Sequence, residues 1–454
     1  MASSPSHKAK LTQGSIRGHL VTQTLPMMIG GAALMSIGII DAYFVGQLGA
    51  DALAAISFIF PITVALSSLG VGVIAGISSV TSRALGEGDP HDARRRANVG
   101  IVLATIFGIA IGAMLFTLRG PLFRLMGASD TLLPLIDDYM APFALCFPLL
   151  LVGMGINGCL RGQGLAKRSS SVLIAMAIAN WILDPILITG AFGIEGFGMA
   201  GAAYATIGGW TLALAMGFFF LQSSQLKLDI RALPQCNWPS ASRAIGRVAG
   251  PAAFSNAINP IGLSVLTGLL AMTGQDAVAG FGAGGRLQAF AVVPLLGLSA
   301  SIGPIVGQNF GAGAHDRVRN ALRYAGLFCI GYGLAIGAVL VLTREPLAAL
   351  FSEDATVRAE IARYLAISAW GYAGFGLLIM ANGALNAVDR AGTALGQSLF
   401  RVLAIMIPVG LLLRAEQGAE GVYIAELAAN LVGGLVAAVS LWWVFWRSAG
   451  PRRD

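Results

Sequence analysis

Two acids and an amide lie inside long apolar runs, and they are the side chains of this sequence best suited to chemistry. Asp41 lies in one run, and Asn180 and Asp184 lie four residues apart in another. Side chains four residues apart share one face of a helix. An acid at membrane depth costs at least ~2.5 kcal/mol, which makes it a candidate for function. Because two carboxylates in a low dielectric cannot both ionise cheaply, we predict that these three residues form a proton or cation site.

Two other interpretations of these acids stay open. Asp41 could cap the end of a helix, and Asp184 could pair with a cation elsewhere in the fold. The residue after Asp184 is Pro185, whose missing N–H leaves the Trp181 carbonyl without its helical partner. That carbonyl would add one more oxygen to the predicted site.

Four further polar residues in apolar runs are weaker candidates. We expect Asn157 and Thr206 to support the acid site, or else to make simple bonds between helices. Glu426 stands at the repeat position of Thr206 and is either a polar site of the second half or an interfacial residue. Arg286 also lies within an apolar run, where we expect it to bond backbone or an acid of the second half.

Motifs that signal enzymes or nucleotide sites lack their structural context here. Two glycine patterns, 153–158 and 280–285, match a dinucleotide fingerprint but follow no predicted strand, so close helix packing explains them better. Gly86-Glu-Gly-Asp89 is similar to part of an intramembrane aspartyl protease motif, but its repeat at Gly311 has no matching acid, so it predicts a turn. No HExxH or GxSxG motif occurs, and the four cysteines have no metal-ligand spacing. We therefore expect no enzyme activity, no metal and no cofactor.

Composition assigns the chain to the polytopic membrane proteins. Of 454 residues, 56% are hydrophobic and 11% are charged, whereas soluble domains carry about 25% charged residues. Mean hydropathy is +0.76, and the 60 glycines are typical of membrane helices. This composition excludes a soluble enzyme, a disordered protein and a disulfide scaffold. The net charge of +7 resides in short loops, so we expect no nucleic-acid partner.

Twelve apolar runs are long enough to cross a ~30 Å hydrocarbon core as helices. They fall at about 20–46, 52–82, 97–118, 133–160, 169–192, 198–222, 243–272, 277–308, 320–343, 359–385, 394–413 and 420–446. The predicted fold is an all-α integral membrane protein with twelve transmembrane helices in two parallel six-helix lobes. The predicted units are a tail at 1–18, an N-lobe at 19–222, a linker at 223–242, a C-lobe at 243–447 and a tail at 448–454.

Basic residues predict the orientation. With the N-terminus in the cytoplasm, 22 Lys and Arg lie on the cytoplasmic side and 6 on the other, with Arg401 counted as cytoplasmic and Arg286 within a span. This bias follows the positive-inside rule. We therefore expect both termini and the linker to be cytoplasmic, in the inner membrane of a bacterial or archaeal cell.

The two halves repeat at an offset near 225 residues. Positions 48–55 match 273–280, positions 86–88 match 311–313, and positions 157–160 match 382–385. Each half has six helices, an even number, so the lobes have the same orientation and are related by a pseudo-two-fold axis along the membrane normal. A substrate site would then lie between or inside the lobes near the midplane.

The first predicted helix carries a hinge. Pro26 removes the bond to the Thr22 carbonyl and favours a kink. Asp41 follows 15 residues later, about 22 Å along the helix. We predict that ion binding at Asp41 changes how this helix packs and thereby expels the substrate.

These motifs resemble those of the multidrug and toxic compound extrusion (MATE) transporters. The resemblance rests on Asp41-Ala-Tyr-Phe-Val-Gly-Gln-Leu-Gly49, Asn157-Gly-Cys-Leu-Arg-Gly-Gln-Gly164, Asn180-x-x-x-Asp184-Pro185 and Gly303-Pro-Ile-Val-Gly-Gln-Asn-Phe-Gly-Ala-Gly313. It spans all twelve predicted helices. It implies cation-coupled antiport of bulky amphiphilic, often cationic compounds through a V-shaped pathway between two lobes.

Within that family, the acids resemble the DinF-like branch. Its polar first-lobe cluster would map onto Asp41, Asn157, Asn180, Asp184 and Thr206. The NorM-type branch also has acids on helices 7 and 10, and this sequence has none in the membrane part of either run. The resemblance therefore implies coupling in the first lobe.

The sequence thus predicts a secondary active exporter that exchanges amphiphilic or cationic drugs and dyes for protons, with sodium as the second choice. We expect it to work as a monomer in the lipid bilayer. A lipid-linked oligosaccharide flippase of the same superfamily is the nearest rival, and it would line its cavity with several arginines, whereas only Arg286 is assigned to a span here. A passive channel, the rival of a different class, would need a symmetric ring of pore charges.

Overall fold

The structure is a computed structural model that describes residues 9–191, 193 and 195–447, including all of their side chains except those of 230 and 232. Over these ranges the chain is helical with short connections, and no strand occurs. Helices suit the apolar runs, because a backbone in hydrocarbon must satisfy its hydrogen bonds within its own segment. Residues 1–8 of the predicted first tail and the whole predicted tail at 448–454 lie outside the described residues.

The twelve predicted membrane helices are confirmed when one bent pair is counted as a single span. Eleven helices of the described ranges are long and apolar enough to cross a membrane: α1 (Ile16–Gly46), α2 (Ala50–Gly86), α3 (Pro90–Leu125), α4 (Leu133–Gly162), α5 (Ala166–Gly190), α6 (Met199–Gln222), α7 (Trp238–Ala271), α9 (His315–Leu342), α10 (Ala355–Ala387), α11 (Ala391–Gln417) and α12 (Ala419–Arg447). The bent pair, α8, comprises Gln275–Ala291 and Val293–Gly311, which meet at 46°. Pro294 lies in the first turn of the second half and cannot donate a backbone hydrogen bond, which favours a break at this point.

The segment between α6 and α7 is shorter than the predicted linker. Trp238 begins α7, so the first residues of that helix occupy the end of the range 223–242. The Asn237 side chain accepts a hydrogen bond from the Ser240 backbone N–H, and Pro239 occupies the first turn. An Asn cap followed by a proline in the first turn is a strong helix start. Hydropathy did not register it, because this first turn is polar.

The helices pack as two bundles of six. In the N-lobe, α4 packs on α2, α3 and α6, while α5 packs on α1 and α6. In the C-lobe, α10 packs on α9, α12 and the second half of α8. The N-lobe side chains form one continuous buried core. Those of the C-lobe form two, one of which includes the start of α1.

The lobes meet in contacts that are copies of one another at an offset of 225 residues. A Cβ atom added to Gly86 on α2 would lie 2.1 Å from the Gln308 carbonyl oxygen on α8. A Cβ atom added to Gly311 on α8 would lie 2.2 Å from the Arg83 carbonyl oxygen on α2. Only glycine permits backbones to approach this closely.

A second pair of contacts repeats the relation deeper in the bundle. Gly72 on α2 lies against Ala253 on α7, where an added Cβ would be 2.8 Å from the alanine methyl group. Gly297 on α8 lies against Met28 on α1, where an added Cβ would be 2.5 Å from the methionine Cγ. Both pairs exchange under the same 225-residue shift, so the predicted pseudo-two-fold relation between the lobes is confirmed.

One face of the bundle carries the turns at 87–89, 163–165 and 312–314 together with both ends of the described chain, and we call it the terminal face. The glycine contacts lie in the halves of the helices nearest this face. Two polar contacts join the lobes there as well. The Ser79 hydroxyl donates to the Asn386 carbonyl at 2.7 Å, and Arg83 pairs with Asp389 at 4.0 Å. The lobes are therefore closed against each other at the terminal face.

A short N-terminal segment, residues 9–15, which we call the terminal strap, crosses that closed contact. The Leu11 backbone N–H donates to Gln308 at 2.9 Å, and its carbonyl accepts from Asn309 at 3.1 Å. Its side chain is fully buried and lies against Gly164 of the N-lobe. Gln308 in turn donates to the Gly162 carbonyl at 2.8 Å. The strap thus binds residues of both lobes.

Candidate functional site

The packing of α1 on α5 brings three of the predicted site residues together. Asp41 of α1 interacts with Asp184 and Asn180 of α5, and both α5 residues are fully buried. These side chains lie within interaction distance, but no well-formed hydrogen bond joins their buried atoms. One oxygen of Asp41, both oxygens of Asp184 and both amide atoms of Asn180 are buried without a partner in the described structure. Unsatisfied buried polar atoms are rare and costly, so the four oxygens of this acid pocket are groups that a bound proton or small cation would satisfy.

A change in helix type fixes the position of Asp184. The regular part of α5 ends at this residue, and a π-helical segment runs from Pro185 to Gly190. Since proline has no N–H to continue the α-helical pattern, the wider turn starts there. Single π-helical turns inside membrane helices occur frequently at functional sites.

A tyrosine of α4 also faces the acid pocket. Tyr139 is buried and interacts with both acids and with the Thr206 hydroxyl of α6. Thr206 thus contacts Tyr139 between α4 and α6, and its support of the acids stays a prediction. Tyr139 was not among the predicted residues, because a tyrosine near the end of a membrane helix typically indicates an interfacial anchor. Its phenol places a proton donor beside the two carboxylates.

Asn157 lies at the other end of the N-lobe and does not reach the acid pocket. Its amide nitrogen donates to the Ser169 carbonyl at 3.1 Å, and it accepts from the Ser169 hydroxyl at 2.9 Å. Ser169 is 15 residues before Asp184 on α5, about 22 Å along the helix. Asn157 therefore joins α4 to α5. This is the second of its two predicted roles, a simple bond between helices.

Pro26 lies in an unbroken α1 at the point where that helix is fixed to α5. The helix runs through Pro26 without interruption, and the Pro26 carbonyl accepts a hydrogen bond from the Ser170 hydroxyl of α5. One turn later, a Cβ atom at Gly30 would be 2.7 Å from the same hydroxyl. The predicted hinge thus coincides with a close contact, and the Asp41 end of α1 extends away from it.

The C-lobe holds a second buried acid with a different set of partners. Glu426 of α12 is fully buried and accepts from the Gln288 amide at 3.0 Å. The Tyr364 hydroxyl donates to the side-chain oxygen of Gln288 at 2.8 Å. The second Glu426 oxygen and the Tyr372 hydroxyl are buried without a hydrogen-bond partner in the described structure. Glu426 is therefore an interior polar group of the C-lobe and not an interfacial residue.

The expectation for Arg286 is wrong, and the buried arginine of the C-lobe is Arg401. Arg286 is exposed on α8, and no hydrogen bond or ion pair joins it to another described residue. Arg401 of α11 is 2% exposed and lies inside the π-helical segment Phe400–Met406. The sequence assigned Arg401 to the cytoplasmic side because it lies near the beginning of an apolar run, where a charge usually belongs to a loop. Removing it from the count leaves the charge bias of the loops in place.

A cavity of about 450 Å³ lies between the lobes. Its polar lining comprises Arg161, Arg401, Asn256, Asn259, Asn382 and Asn386 with several serines, and its apolar lining includes Met27, Leu34 and Phe375. Aspartate and glutamate are absent from its described walls. The volume falls within the usual range for small-molecule sites. A cationic compound would find no carboxylate on these walls.

Comparison with known proteins places the chain among membrane transporters. A sequence model of the MatE family matches residues 26–186 and 251–412, which lie in the N-lobe and the C-lobe respectively. The chain is 34% identical over 420 residues to a FAD transporter of Shewanella oneidensis, with 92% of each protein covered. It is 26% identical over 413 residues to the probable multidrug resistance protein YpnP of Bacillus subtilis, with 90% of this chain and 91% of that protein covered.

A solved structure agrees with these sequence relatives. The crystal structure of a point mutant of the Vibrio cholerae MATE transporter VcmN superposes with a TM-score of 0.91 at 29% identity. The alignment covers 96% of this chain and 98% of that one. The two chains therefore share the whole arrangement of two lobes.

Proposed function

The chain belongs to the MatE family, a family of membrane transporters and not of enzymes, and on that premise we propose that it is a secondary active exporter of small organic compounds. The exchange ion is a proton, with sodium as the second choice. The observation that carries this proposal is the acid pocket, in which Asp41, Asn180 and Asp184 keep five buried polar atoms without partners. The pocket also supports placement in the DinF-like branch.

The acid pocket can couple ion binding to motion because its residues belong to different helices. Asp41 is on α1, whereas Asn180 and Asp184 are on α5, and Tyr139 faces the two acids from α4. A proton bound between the carboxylates removes their repulsion and lets α1 pack against α5, whereas its loss drives them apart. Such a site biases the conformation only if the two states bind the proton with different affinity.

The closed terminal face supports the direction of transport. With that face in the cytoplasm, the cavity in this structure is shut off from the cytoplasm. An ion entering from the other side would bind the acid pocket in this state and lead to the state that opens inward. We further propose that the protein acts as a monomer in the cell membrane, since each chain contains both lobes and the cavity between them.

Uptake into inside-out vesicles tests the function. A fluorescent dye cation and a flavin dinucleotide serve as cargo, because multidrug resistance proteins and a FAD transporter are both among the relatives. A proton gradient and a sodium gradient are imposed separately. We expect uptake of at least one cargo to follow the proton gradient. Downhill flux that ignores both gradients would identify a passive channel and overturn the proposal.

One observation favours a second candidate, a lipid-linked oligosaccharide flippase. Arg161 and Arg401 both line the cavity, whereas the sequence had assigned only Arg286 to a span. Transfer of a fluorescent pyrophosphate-linked lipid between leaflets, measured in the same vesicles without soluble cargo, distinguishes this candidate from the exporter.

A further inference from the structure

Two guanidinium groups face the central cavity, one from each lobe. Arg161 comes from the end of α4 in the N-lobe, and Arg401 comes from α11 in the C-lobe. Neither takes part in an ion pair with a carboxylate of the described residues, although seven other arginines do. Arginines inside a protein or membrane are normally paired, because an uncompensated buried charge is costly. No carboxylate of the described residues is therefore in direct contact with either of these two cations.

Neutral groups orient Arg401 without cancelling its charge. Its Nε donates to Asn430 at 3.0 Å and its Nη1 donates to Asn259 at 2.8 Å. The guanidinium lies over the Phe375 ring, 5.1 Å from the ring centre. Amide oxygens and an aromatic face stabilise a guanidinium in a fixed orientation and leave its net charge in place.

Glu426 compensates Arg401 only at a distance. It lies one helical turn before Asn430 on α12, and the two charges attract each other. Its bonded oxygen, however, accepts from Gln288 and not from Arg401. Because this pair is not in contact, no carboxylate accepts a hydrogen bond from the Arg401 guanidinium within the described residues.

Arg161 is held still more loosely. Its Nε donates to the Ser169 hydroxyl over a long distance of 3.4 Å. It is half-buried, and its exposed part belongs to the cavity wall. A guanidinium presents several donors in one plane, which suits a phosphate or a carboxylate.

The remaining walls fit a compound that is apolar along most of its surface. Asn256, Asn382 and Asn386 offer amides for neutral polar groups, while Met27, Leu34 and Phe375 offer flexible and aromatic contacts. With two cations, no described carboxylate and a volume of about 450 Å³, the cavity matches an organic ring system that bears an acidic group.

On the basis of the exporter function proposed above, we propose that the central cavity selects amphiphilic organic anions, and that Arg161 and Arg401 are the specificity-determining residues that bind the phosphate or carboxylate. This assignment replaces the cationic cargo expected from the family resemblance. It applies both to a soluble anion and to the phosphate headgroup of a lipid, since both offer the same group to the arginines.

Binding of two flavins that differ only in a phosphate tests the proposal. Purified protein in nanodiscs of neutral lipid is titrated with riboflavin and with riboflavin 5′-phosphate, with ethidium as the cationic probe, and binding is followed by fluorescence polarisation. We expect riboflavin 5′-phosphate to bind at least about ten-fold more tightly than riboflavin. A charge-assisted hydrogen bond to a buried cation contributes a free energy of that size. Equal binding of the two flavins, or tighter binding of ethidium, would overturn the assignment.

Substitutions locate the selectivity. Arg161→Gln and Arg401→Gln should each reduce the preference for riboflavin 5′-phosphate over riboflavin about ten-fold. The control is Arg414→Gln, on the same helix as Arg401 but outside the cavity lining, and it should leave the preference unchanged. Since Arg401→Gln could disturb folding, Arg401→Lys keeps the charge and should retain part of the preference. If both Gln variants still prefer riboflavin 5′-phosphate over riboflavin as strongly as the wild type does, neither arginine determines the specificity.

Two further experiments distinguish a lipid headgroup from a soluble anion, and a failure of this inference from a failure of the exporter function. Bound riboflavin is displaced with either dodecyl phosphate or riboflavin 5′-phosphate. Stronger displacement by dodecyl phosphate assigns the site to a lipid headgroup. Stronger displacement by riboflavin 5′-phosphate assigns it to a soluble anion. In vesicles, gradient-driven transport without preference for the phosphate contradicts this inference alone. Absence of gradient-driven transport for every probe contradicts the exporter function itself.

Discussion

Asp184 provides the strictest test of coupling at the scale of single residues. An amide cannot take up a proton, so Asp184→Asn should reduce gradient-driven export to background while the protein still inserts and folds. Glu426→Gln, the same change at the buried acid of the other lobe, should retain at least half of the export. Vesicle uptake normalised to protein content measures both. Loss of coupling in Glu426→Gln with normal coupling in Asp184→Asn would place the site in the C-lobe.

Asp41 provides the test of motion. Because its carboxylate is the member of the acid pocket that belongs to α1, Asp41→Asn should hold α1 in one position and stop export. Distances between spin labels on α1 and α4, measured at low and high pH, should change in the wild type and stay constant in the variant. A variant that responds to pH like the wild type would refute this mechanism and leave the family assignment intact.

How far the sequence predicts the site differs from residue to residue. Asp41, Asn180 and Asp184 were found because an acid in an apolar run is costly and therefore conspicuous. Tyr139 was missed because its type suits an interface equally well, so only the packing of α4 shows that it faces the acids. Arg401 was missed because the sequence does not show how deep a charge lies near the beginning of an apolar run.

Among the helices, α1 carries the prediction for the hinge. Pro26→Ala restores the N–H that can bond the Thr22 carbonyl, and a proline in a helix interior costs about 3 kcal/mol relative to alanine. The variant should therefore have a stiffer α1, export several-fold more slowly and bind cargo as before. Pro61→Ala, at an exposed proline inside α2, is the matched control. Export at the wild-type rate in the Pro26 variant would remove the hinge role.

The break in α8 shows what an apolar run leaves undetermined. Residues 277–308 read as one continuous span, yet the helix changes direction by 46° between Ala291 and Val293. Hydropathy shows only that both halves of α8 are apolar enough for the membrane. The presence of Pro294 alone does not tell whether the helix is kinked or broken. The direction is set by the packing of the second half against α1 and α10.

For the whole molecule, the first prediction is the orientation in the membrane. Both termini and the segment between α6 and α7 should be cytoplasmic, given the 21-to-6 charge bias that remains when the buried Arg401 is left out. A reporter enzyme fused after residue 232 should score as cytoplasmic, and one fused after residue 128 should score as periplasmic. The opposite pattern would invert the direction of transport.

The second prediction at this scale concerns the join between the lobes. A Cβ atom at Gly86 would lie 2.1 Å from the Gln308 carbonyl oxygen, so Gly86→Ala should force the lobes apart at the terminal face and lower export at least ten-fold. Gly268→Ala, at a helical glycine with no atom within 4 Å of the added Cβ, should behave like the wild type. Labelling of Ser79→Cys at the terminal face, expected to be faster in the Gly86 variant only, measures the opening.

The reciprocal glycine contacts have a consequence for how such a chain can evolve. At the terminal face, each of the two joins is made between a glycine and the backbone carbonyl of its neighbour, Gln308 in one copy and Arg83 in the other, so it does not depend on the neighbour's side chain. After a duplication, the side chains of the two copies are then free to diverge while the halves still fit together. One half can acquire a pair of carboxylates and the other a buried guanidinium. Two halves with the same fold can then take on different functions in one molecule.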